Sequence, residues 1–345
     1  ILPFQFILPI FSKRAKIFFD KRKAGKEKII ALSENFNQKR VIWLHAASVG
    51  ELDQCKALIR VIRQNEPDTF LIQSVFSESV TEENLKNLNA NLSFRLPLDF
   101  YFSYDFIFKK CKPEILILMA WDTWPNLILS AKRHGSKVYL FCASLSKSSG
   151  RNSFFMKNLT KSVFQKLDAI SVASKYFLKE FLQFTENKTP LFALGDTRVD
   201  SVIEKIEKRD KNKDPLQKIL PIKDRVVIFA STYAVCEKIL IPKINGILSA
   251  NRSVWIFPHH ITEKRIAEIE NLLLQNRISF SIFSKIEKKH ERVILFDKLG
   301  ILAFAYEHAE IAYVGGAIHN RVHNVLEPAY FGLPIVTGKN ISHSP

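Results

Sequence analysis

The stretch Val41-Ile-Trp-Leu44-His-Ala-Ala-Ser48-Val-Gly-Glu51-Leu-Asp-Gln54 decides the fold. Residues 41–44 form a short, wholly apolar run of the kind a parallel strand shows when both of its faces are covered, and the run breaks at small residues. Beyond the break, Leu52, Cys55, Leu58, Ile59 and Ile62 recur at helical spacing and give the next segment one apolar face. Strand, loop and helix in that order form the unit in which α/β folds place their chemistry, at the carboxyl end of the strand. Glu51 opens the helix. Ser48-Val-Gly-Glu51 equally fits a capping box, in which the serine bonds a first-turn N–H and the glutamate reaches back to the serine N–H. Capping boxes are common, so on this stretch alone the cap is the simpler explanation, and the case for chemistry rests on the rest of the chain.

Working outward, the same rhythm repeats. Strands are expected over 70–76, 115–119, 138–143, 169–173 and 190–194, with helices over 82–88, 127–134 and 176–184. A mostly ionic stretch, 204–214, reads as an interdomain linker, and strands resume over 226–230, 254–257, 293–296, 311–314 and 332–336. A length of 345 residues suits two domains, 31–203 and 215–345, with 1–30 set apart. The alternation predicts parallel sheets clothed by helices on both faces, binding ligands above the carboxyl ends of their strands.

Several loops fall at those ends. In Ala120-Trp-Asp122-Thr-Trp124-Pro-Asn126 a carboxylate stands between two tryptophans, a mix suited to sugars, although two surface aromatics at a proline helix start would read the same. Residues 144–151, with Lys147, could hold a phosphate or simply be solvated. In the second half, Ser231-Thr232, Pro258-His259-His260, the turn ending at Gly300, and Gly315-Gly316 each follow a strand. His323-Asn324-Val-Leu-Glu327 then reads as a helix start. Glycines let backbone approach a ligand, a helix N-terminus attracts phosphate, and a carboxylate one turn inside could hold ribose hydroxyls. An ordinary glycine-rich turn would explain the same residues, except the His-Asn pair.

Charge and composition narrow the classes. Lys and Arg number 51 against 34 Asp and Glu, and a net +17 calls for an anionic partner: nucleic acid, a membrane surface or a phosphorylated substrate. No aromatic-basic interleaving marks a nucleic-acid module. Residues 1–11 are almost wholly apolar and 12–28 strongly basic, which fits the end of a membrane anchor with its cytoplasmic flank, or equally a buried N-terminal helix with a charged solvated face. The chain opens at Ile1 and stops at Pro345, and is expected to be a fragment at both ends. Cys55, Cys111, Cys142 and Cys236 lie far apart, as reduced thiols would, and neither His-Glu-x-x-His nor Asp-x-Asp occurs, so neither metal nor cofactor is expected.

Taken in order, His45-Ala-Ala-Ser-Val-Gly-Glu51, Trp124-Pro-Asn126, Gly195-Asp-Thr-Arg-Val-Asp200, Ser231-Thr232, Pro258-His-His260, Gly315-Gly316 and His323-Asn-Val-Leu-Glu-Pro-Ala329 resemble one family. It is the membrane-bound transferases that add 3-deoxy-D-manno-octulosonic acid (Kdo) to the lipid A precursor. The resemblance implies a GT-B fold, two Rossmann-like domains facing a central cleft, anchored by the N-terminus on the cytoplasmic face of the inner membrane. It implies inverting transfer from CMP-Kdo to lipid IVA in lipopolysaccharide inner-core synthesis, without a metal. Glu51 would be the general base, its pKa depressed by the helix start and its capping of Ser48 exclusive with catalysis at any instant. Ser48, Gly50, Asp122 and Lys147 would hold the acceptor. Ser231, Thr232, Pro258, His260, Gly300, Gly315, Gly316, His323, Asn324 and Glu327 would hold the donor.

The chain also departs from the family. Ala120 and Asp122 stand where Glu-x-Glu is usual, Ser144 where an Arg is usual, and Arg321-Val322 and Lys339 where Gly and Pro are usual. Two other classes are thus kept: a catalytically silent relative that binds lipid or a partner, and a nucleic-acid binder, which dense basic residues beside an apolar terminus disfavour.

Overall fold

The computed structural model describes residues 13–32, 39–145, 154–210, 214–220, 224–319 and 321–341. The apolar start of the chain and the loop carrying Lys147 therefore lie outside the described residues. The chain divides into two compact units, Ile1–Ser201 and Val202–Pro345.

In unit 1 the strands are β1 (Val41–Ala46), β2 (Phe70–Val75), β3 (Leu92–Arg95), β4 (Ile115–Met119), β5 (Lys137–Ala143), β6 (Ala169–Val172) and β7 (Leu191–Ala193). The helices are α1 (Lys13–Ile30), α2 (Val49–Asn65), α3 (Glu82–Lys86), α4 (Asp105–Cys111), α5 (Pro125–Arg133), α6 (Phe154–Phe164), α7 (Leu178–Thr185) and the start of α8 (Arg198–Glu207), which continues into unit 2. The strands pair in the order β3-β2-β1-β4-β5-β6-β7, all parallel. Residue alternation along β1 explains why both faces are covered. Val41 and Trp43 join one core with Ile29, Phe108 and Leu118, while Ile42, Leu44 and Ala46 join another with Leu52, Cys55 and Ile59 of α2. The stretch 204–214 read as a linker begins inside α8, which supplies its first turn.

Unit 2 repeats the plan with β8 (Arg225–Thr232), β9 (Arg252–Pro258), β10 (Ser281–Ile282), β11 (Val293–Leu295), β12 (Ala309–Val314) and β13 (Ile335–Thr337). Its main helices are α9 (Ala234–Leu240), α10 (Ile244–Ser249), α11 (Glu263–Gln275), α12 (Leu302–Ala305) and α13 (Leu326–Tyr330). The order is β10-β11-β9-β8-β12-β13, again all parallel. In each sheet the first strand lies inside and the chain leaves it in two directions: β1 between β2 and β4, β8 between β9 and β12. At such a switch point the loops above neighbouring strands diverge and leave a crevice.

The basic part of the N-terminal stretch forms α1, which packs on unit 1 and leaves much of its charge solvated; the apolar part, on which the anchor reading rests, lies outside the described residues. Ile29 is buried, and a Cβ on Gly25 would come within 3.1 Å of the Phe94 Cβ, so the helix lies tight on β3. Arg22 is buried with them: its guanidinium lies 3.3 Å from the Phe18 ring centre and bonds the carbonyls of Phe18 and Phe76, each at 3.0 Å. Burial pulls its pKa down to about 10, against the partly restoring charge of Glu78. Lys23, Lys26 and Lys28 remain exposed. Among the described residues no helix is long and apolar enough to cross a membrane.

If α1 is an integral layer of unit 1, Arg22→Ala should lower its stability by about 1–3 kcal/mol, because the bond to the Phe76 carbonyl and the packing of the buried guanidinium on Phe18 are lost. Urea unfolding followed through unit 1 checks this; an unchanged midpoint would mean that α1 is merely laid on the surface.

Candidate active site

Glu51 stands in the first turn of α2, directly above the carboxyl end of β1. Ser48 is the N-cap residue in extended conformation, which turns the chain out of the strand and into the helix. The carboxylate folds back so that Oε2 accepts from the Ala47 N–H at 2.5 Å and the Ser48 N–H at 3.1 Å. The cap is therefore real, yet both bonds land on one oxygen. Cap and base are thus not exclusive, as the sequence had implied, since a carboxylate has a second oxygen with its own lone pairs.

The expected depression of the Glu51 pKa is also overturned. Only 8% of the residue is exposed, and burial, with the charge of Asp122 second, pushes the carboxyl up to about 7. The two backbone donors, and the Ser48 hydroxyl with them, pull the other way and lose. Desolvation wins because α2 and β1 bury the group against apolar neighbours, where the charged form is most costly.

Asp122 belongs to the loop above β4, the other side of the switch point. Its Oδ2 lies 3.0 Å from His45 Nε2 and accepts from Trp124 Nε1 at 2.8 Å. Behind the ring, His45 Nδ1 is 2.8 Å from Ser74 Oγ, which also accepts from Trp43 Nε1 at 2.8 Å. Trp43, His45 and Ser74 are fully buried. Sequence reading gave His45, Ser74 and Trp43 no role, because no linear spacing joins residues 43, 45, 74 and 122. Their only signal was polar residues inside otherwise apolar strands. Trp124 was read as a possible sugar platform, but its indole N–H is turned to Asp122 Oδ2 and lies 2.9 Å from His45 Nε2, and its ring packs on Phe76 at 4.6 Å. Trp121 is the exposed member of the pair, at 54%.

Around them, Gly195-Asp-Thr-Arg198 supplies a cation. Asp196 accepts from Gln54 Nε2 at 2.9 Å and from Arg198 Nε at 2.9 Å, holding the guanidinium where it feels the charge of Glu51. Gly50 has open space around it: an added Cβ would meet nothing within 4 Å. Packing alone does not demand glycine there.

In unit 2 the candidates gather at the ends of β8, β9 and β12. Ser231 takes a left-handed backbone, φ +50°, where the β8–β9 register shifts. A Cβ on Gly315 would lie 2.2 Å from the Ser231 carbonyl oxygen, and one on Gly316, φ +96°, 2.4 Å from that of Arg321. Close packing by itself requires glycine at both places, Gly315 against the β8 loop and Gly316 against the later part of its own loop. Thr232 is buried with its hydroxyl donated to Glu237 at 2.7 Å, an acid also paired with Arg265.

The histidines form the dense feature here. His323 Nε2 lies 2.9 Å from the Tyr233 hydroxyl, and His259 stacks on His323 at 4.2 Å. His319 and His260 meet the Tyr233 ring edge-on at 4.6 and 5.9 Å. Burial, then the neighbouring His259, His319, Arg321 and His260, push His323 down to about 4. Among the described residues no group of three His, Cys, Asp or Glu side chains could hold a metal ion.

The expected helix after His323-Asn324 is short. α13 spans five residues, and Asn324 Oδ1 already accepts its Leu326 N–H at 2.9 Å, so the dipole expected for phosphate is weak. Glu327 pairs with Lys205 at 2.7 Å. Pro258 closes β9 in the core, while Gly300, φ +84°, turns the exposed loop beyond β11.

Two Rossmann-like units, each with loops parting above a switch point, one lined by carboxylates and the other by imidazoles, define a GT-B nucleotide-sugar enzyme fold. A family model described as 3-deoxy-D-manno-octulosonic-acid transferase (kdotransferase) matches residues 22–201, and the chain belongs to that family. It is 28% identical over 342 residues to a bifunctional glycosyltransferase/methyltransferase of Fusobacterium nucleatum, covering 96% of this chain and 51% of the relative. It is 27% identical to a 3-deoxy-D-manno-octulosonic acid transferase of Chlamydophila psittaci, covering 87% of this chain and 70% of the relative. The chain thus spans about half the length of the first relative and somewhat over two thirds of the second. In fold it is similar to UDP-GlcNAc 2-epimerase from Methanocaldococcus jannaschii, with TM-score 0.61 and 17% identity over 87% of this chain and 83% of that one.

Two predictions follow from the packing and charge. Glu51 is held protonated by the fold, so its contribution to stability is full below the unfolded-state value near 4.5 and is lost as pH rises through about 7. Glu51→Gln keeps an acceptor for both N–H groups but cannot ionise; its stability relative to wild type should rise by about 2–3 kcal/mol between pH 5 and pH 8. Parallel urea-unfolding curves at the two pH values would contradict this. Gly315→Ala should destabilise unit 2 by about 2–4 kcal/mol, read from the unfolding of its tryptophan, Trp255, because backbone cannot yield to the new methyl without parting β8 from β12.

Proposed function

We propose that the chain transfers Kdo from CMP-Kdo to a hydroxyl of a phosphorylated, acylated glucosamine disaccharide, lipid IVA, with inversion. The observation that supports this most directly is the Glu51 carboxyl, buried above the switch point of unit 1 beside Asp122 and Arg198, with a pKa near 7. A base needs a value close to the working pH, so that it is free to accept a proton and strong enough to do so. The acceptor oxygen attacks the anomeric carbon, the bond to the CMP phosphate oxygen breaks with its electron pair, and the hydroxyl proton passes to Glu51. Arg198 meets acceptor phosphate, a role the sequence also suggests for Lys147, while Asp122 steadies the sugar hydroxyl beside the base.

Unit 2 would hold the nucleotide. The Ser231 and Gly315-Gly316 loops form the floor, and His259, His260, His319 and His323 around Tyr233 give stacking faces and N–H donors for a cytosine and its phosphate. Glu327 reaches ribose by exchanging Lys205, which is 63% exposed and released at small cost. The net charge of +17 suits phosphorylated acceptor and an anionic membrane surface on the cytoplasmic side.

Incubation of the full-length protein with CMP-Kdo and lipid IVA in detergent, following CMP release and acceptor mass, tests this. Kdo should appear on the acceptor, the rate should rise with pH through about 7 as Glu51 ionises, and Glu51→Gln should lose at least about 10²-fold while still binding CMP. A wild type that binds neither CMP nor CMP-Kdo would favour the silent lipid-binding relative instead.

A further inference from the structure

His45 is wholly buried, touches neither proposed ligand, and is flanked by hydrogen bonds on both ring nitrogens. Its protonation follows from its partners. Nε2 lies 3.0 Å from Asp122 Oδ2 and 2.9 Å from Trp124 Nε1, whose N–H also reaches that carboxylate oxygen at 2.8 Å. With the indole N–H directed to the carboxylate, the tautomer that sets no acceptor against an acceptor is the one with the proton on Nε2, and Nδ1 then accepts from the Ser74 hydroxyl, whose oxygen accepts from the Trp43 indole. A one-way chain results, Trp43 to Ser74 to His45 to Asp122. Its inner members lie on β1 and β2, at the middle of the sheet, and only its last member lies on a loop. Trp124, also on that loop, donates to the same Asp122 oxygen.

We propose that His45 is the positioning residue of this site: its Nε2–H fixes the loop carboxylate of Asp122 beside Glu51, and the Ser74–Trp43 chain fixes the ring. This rests on the transferase reading above. Without the chain, Asp122 sits on a loop whose backbone at Ala120 is already in the left-handed region, φ +57°, and can turn away. Among the described residues, the charged and titratable groups that act on Glu51 are Asp122 from the β4 loop, Arg198 from α8, and Cys55 from its own helix. Tyr104 also faces Asp122. Arg198 is tied to Asp196, and Cys55 is held in the core, so Asp122 is the one of the three whose place depends on His45.

The test uses the full-length protein and two readouts. The first needs no substrate: 13C-carboxyl-labelled glutamate, with the Glu51 signal assigned by its loss in Glu51→Gln, gives the Glu51 titration midpoint directly. In His45→Leu the midpoint should move down toward the ordinary glutamate range, and Asp122→Asn should do the same. His45→Gln, whose amide can donate to Asp122 from nearly the same place, should restore most of the wild-type midpoint. The second readout is transfer: kcat should fall about tenfold or more in His45→Leu, with the KM for CMP-Kdo unchanged, and recover in His45→Gln. Ser74→Ala, which cuts the chain without touching the ring, should show a smaller shift in the same direction and carries the test should His45→Leu not fold. A Glu51 midpoint identical in wild type, Ser74→Ala and His45→Leu, or equal impairment by Gln and Leu, would overturn the proposal and leave His45 a packing residue. If wild type transfers nothing yet its Glu51 midpoint still follows His45, the transferase reading fails while the positioning role stands.

Discussion

Both sheets are wholly parallel, and parallel strands joined by helices must send every connection over a face and begin every strand at the same end. All loops leaving the strands therefore emerge on one edge, and where the chain turns outward in both directions from β1 and from β8 those loops part. The rest of the molecule depends on that constraint. It places Glu51 from the β1 loop opposite Asp122 from the β4 loop, and the Ser231 turn opposite the Gly315-Gly316 turn. Neither arrangement needs the helices to do more than cover the sheet.

The two crevices differ in what burial does to their ionisable groups. In unit 1 burial raises a carboxyl, and a second carboxylate nearby adds to it, so the site accumulates affinity for a proton. In unit 2 burial lowers His259 and His323, and the imidazoles beside them add to it, so those two rings favour the neutral form. Desolvation is the first cause in both, and the opposite outcomes follow from the opposite charges of the ionised forms.

Much of this was legible in the sequence. The strands expected over 41–44, 115–119 and 226–230 match β1, β4 and β8 with shifts of no more than two residues at either end, because apolar runs bounded by small residues have few other solutions. Short elements were harder: β3 and α4 went unread, since four strand residues and a seven-residue helix carry too little periodicity. The helix at His323 was read as a binding dipole from its opening residues, but helix length is set by what packs beyond it, and α13 ends after five residues.

By itself the sequence determined the α/β alternation, the position of Glu51 at a strand-to-helix junction and the order of motifs that marks the Kdo transferase family, because each is written in neighbouring residues. Tertiary structure alone decided that Glu51 caps with one oxygen and that its pKa rises instead of falling, since burial is a sum over groups distant in the chain. It alone joined Trp43, His45, Ser74 and Asp122, and gathered four histidines around Tyr233. The reason is the same in each case: spacing along a chain fixes which side of an element a residue occupies, while strand order fixes which elements become neighbours.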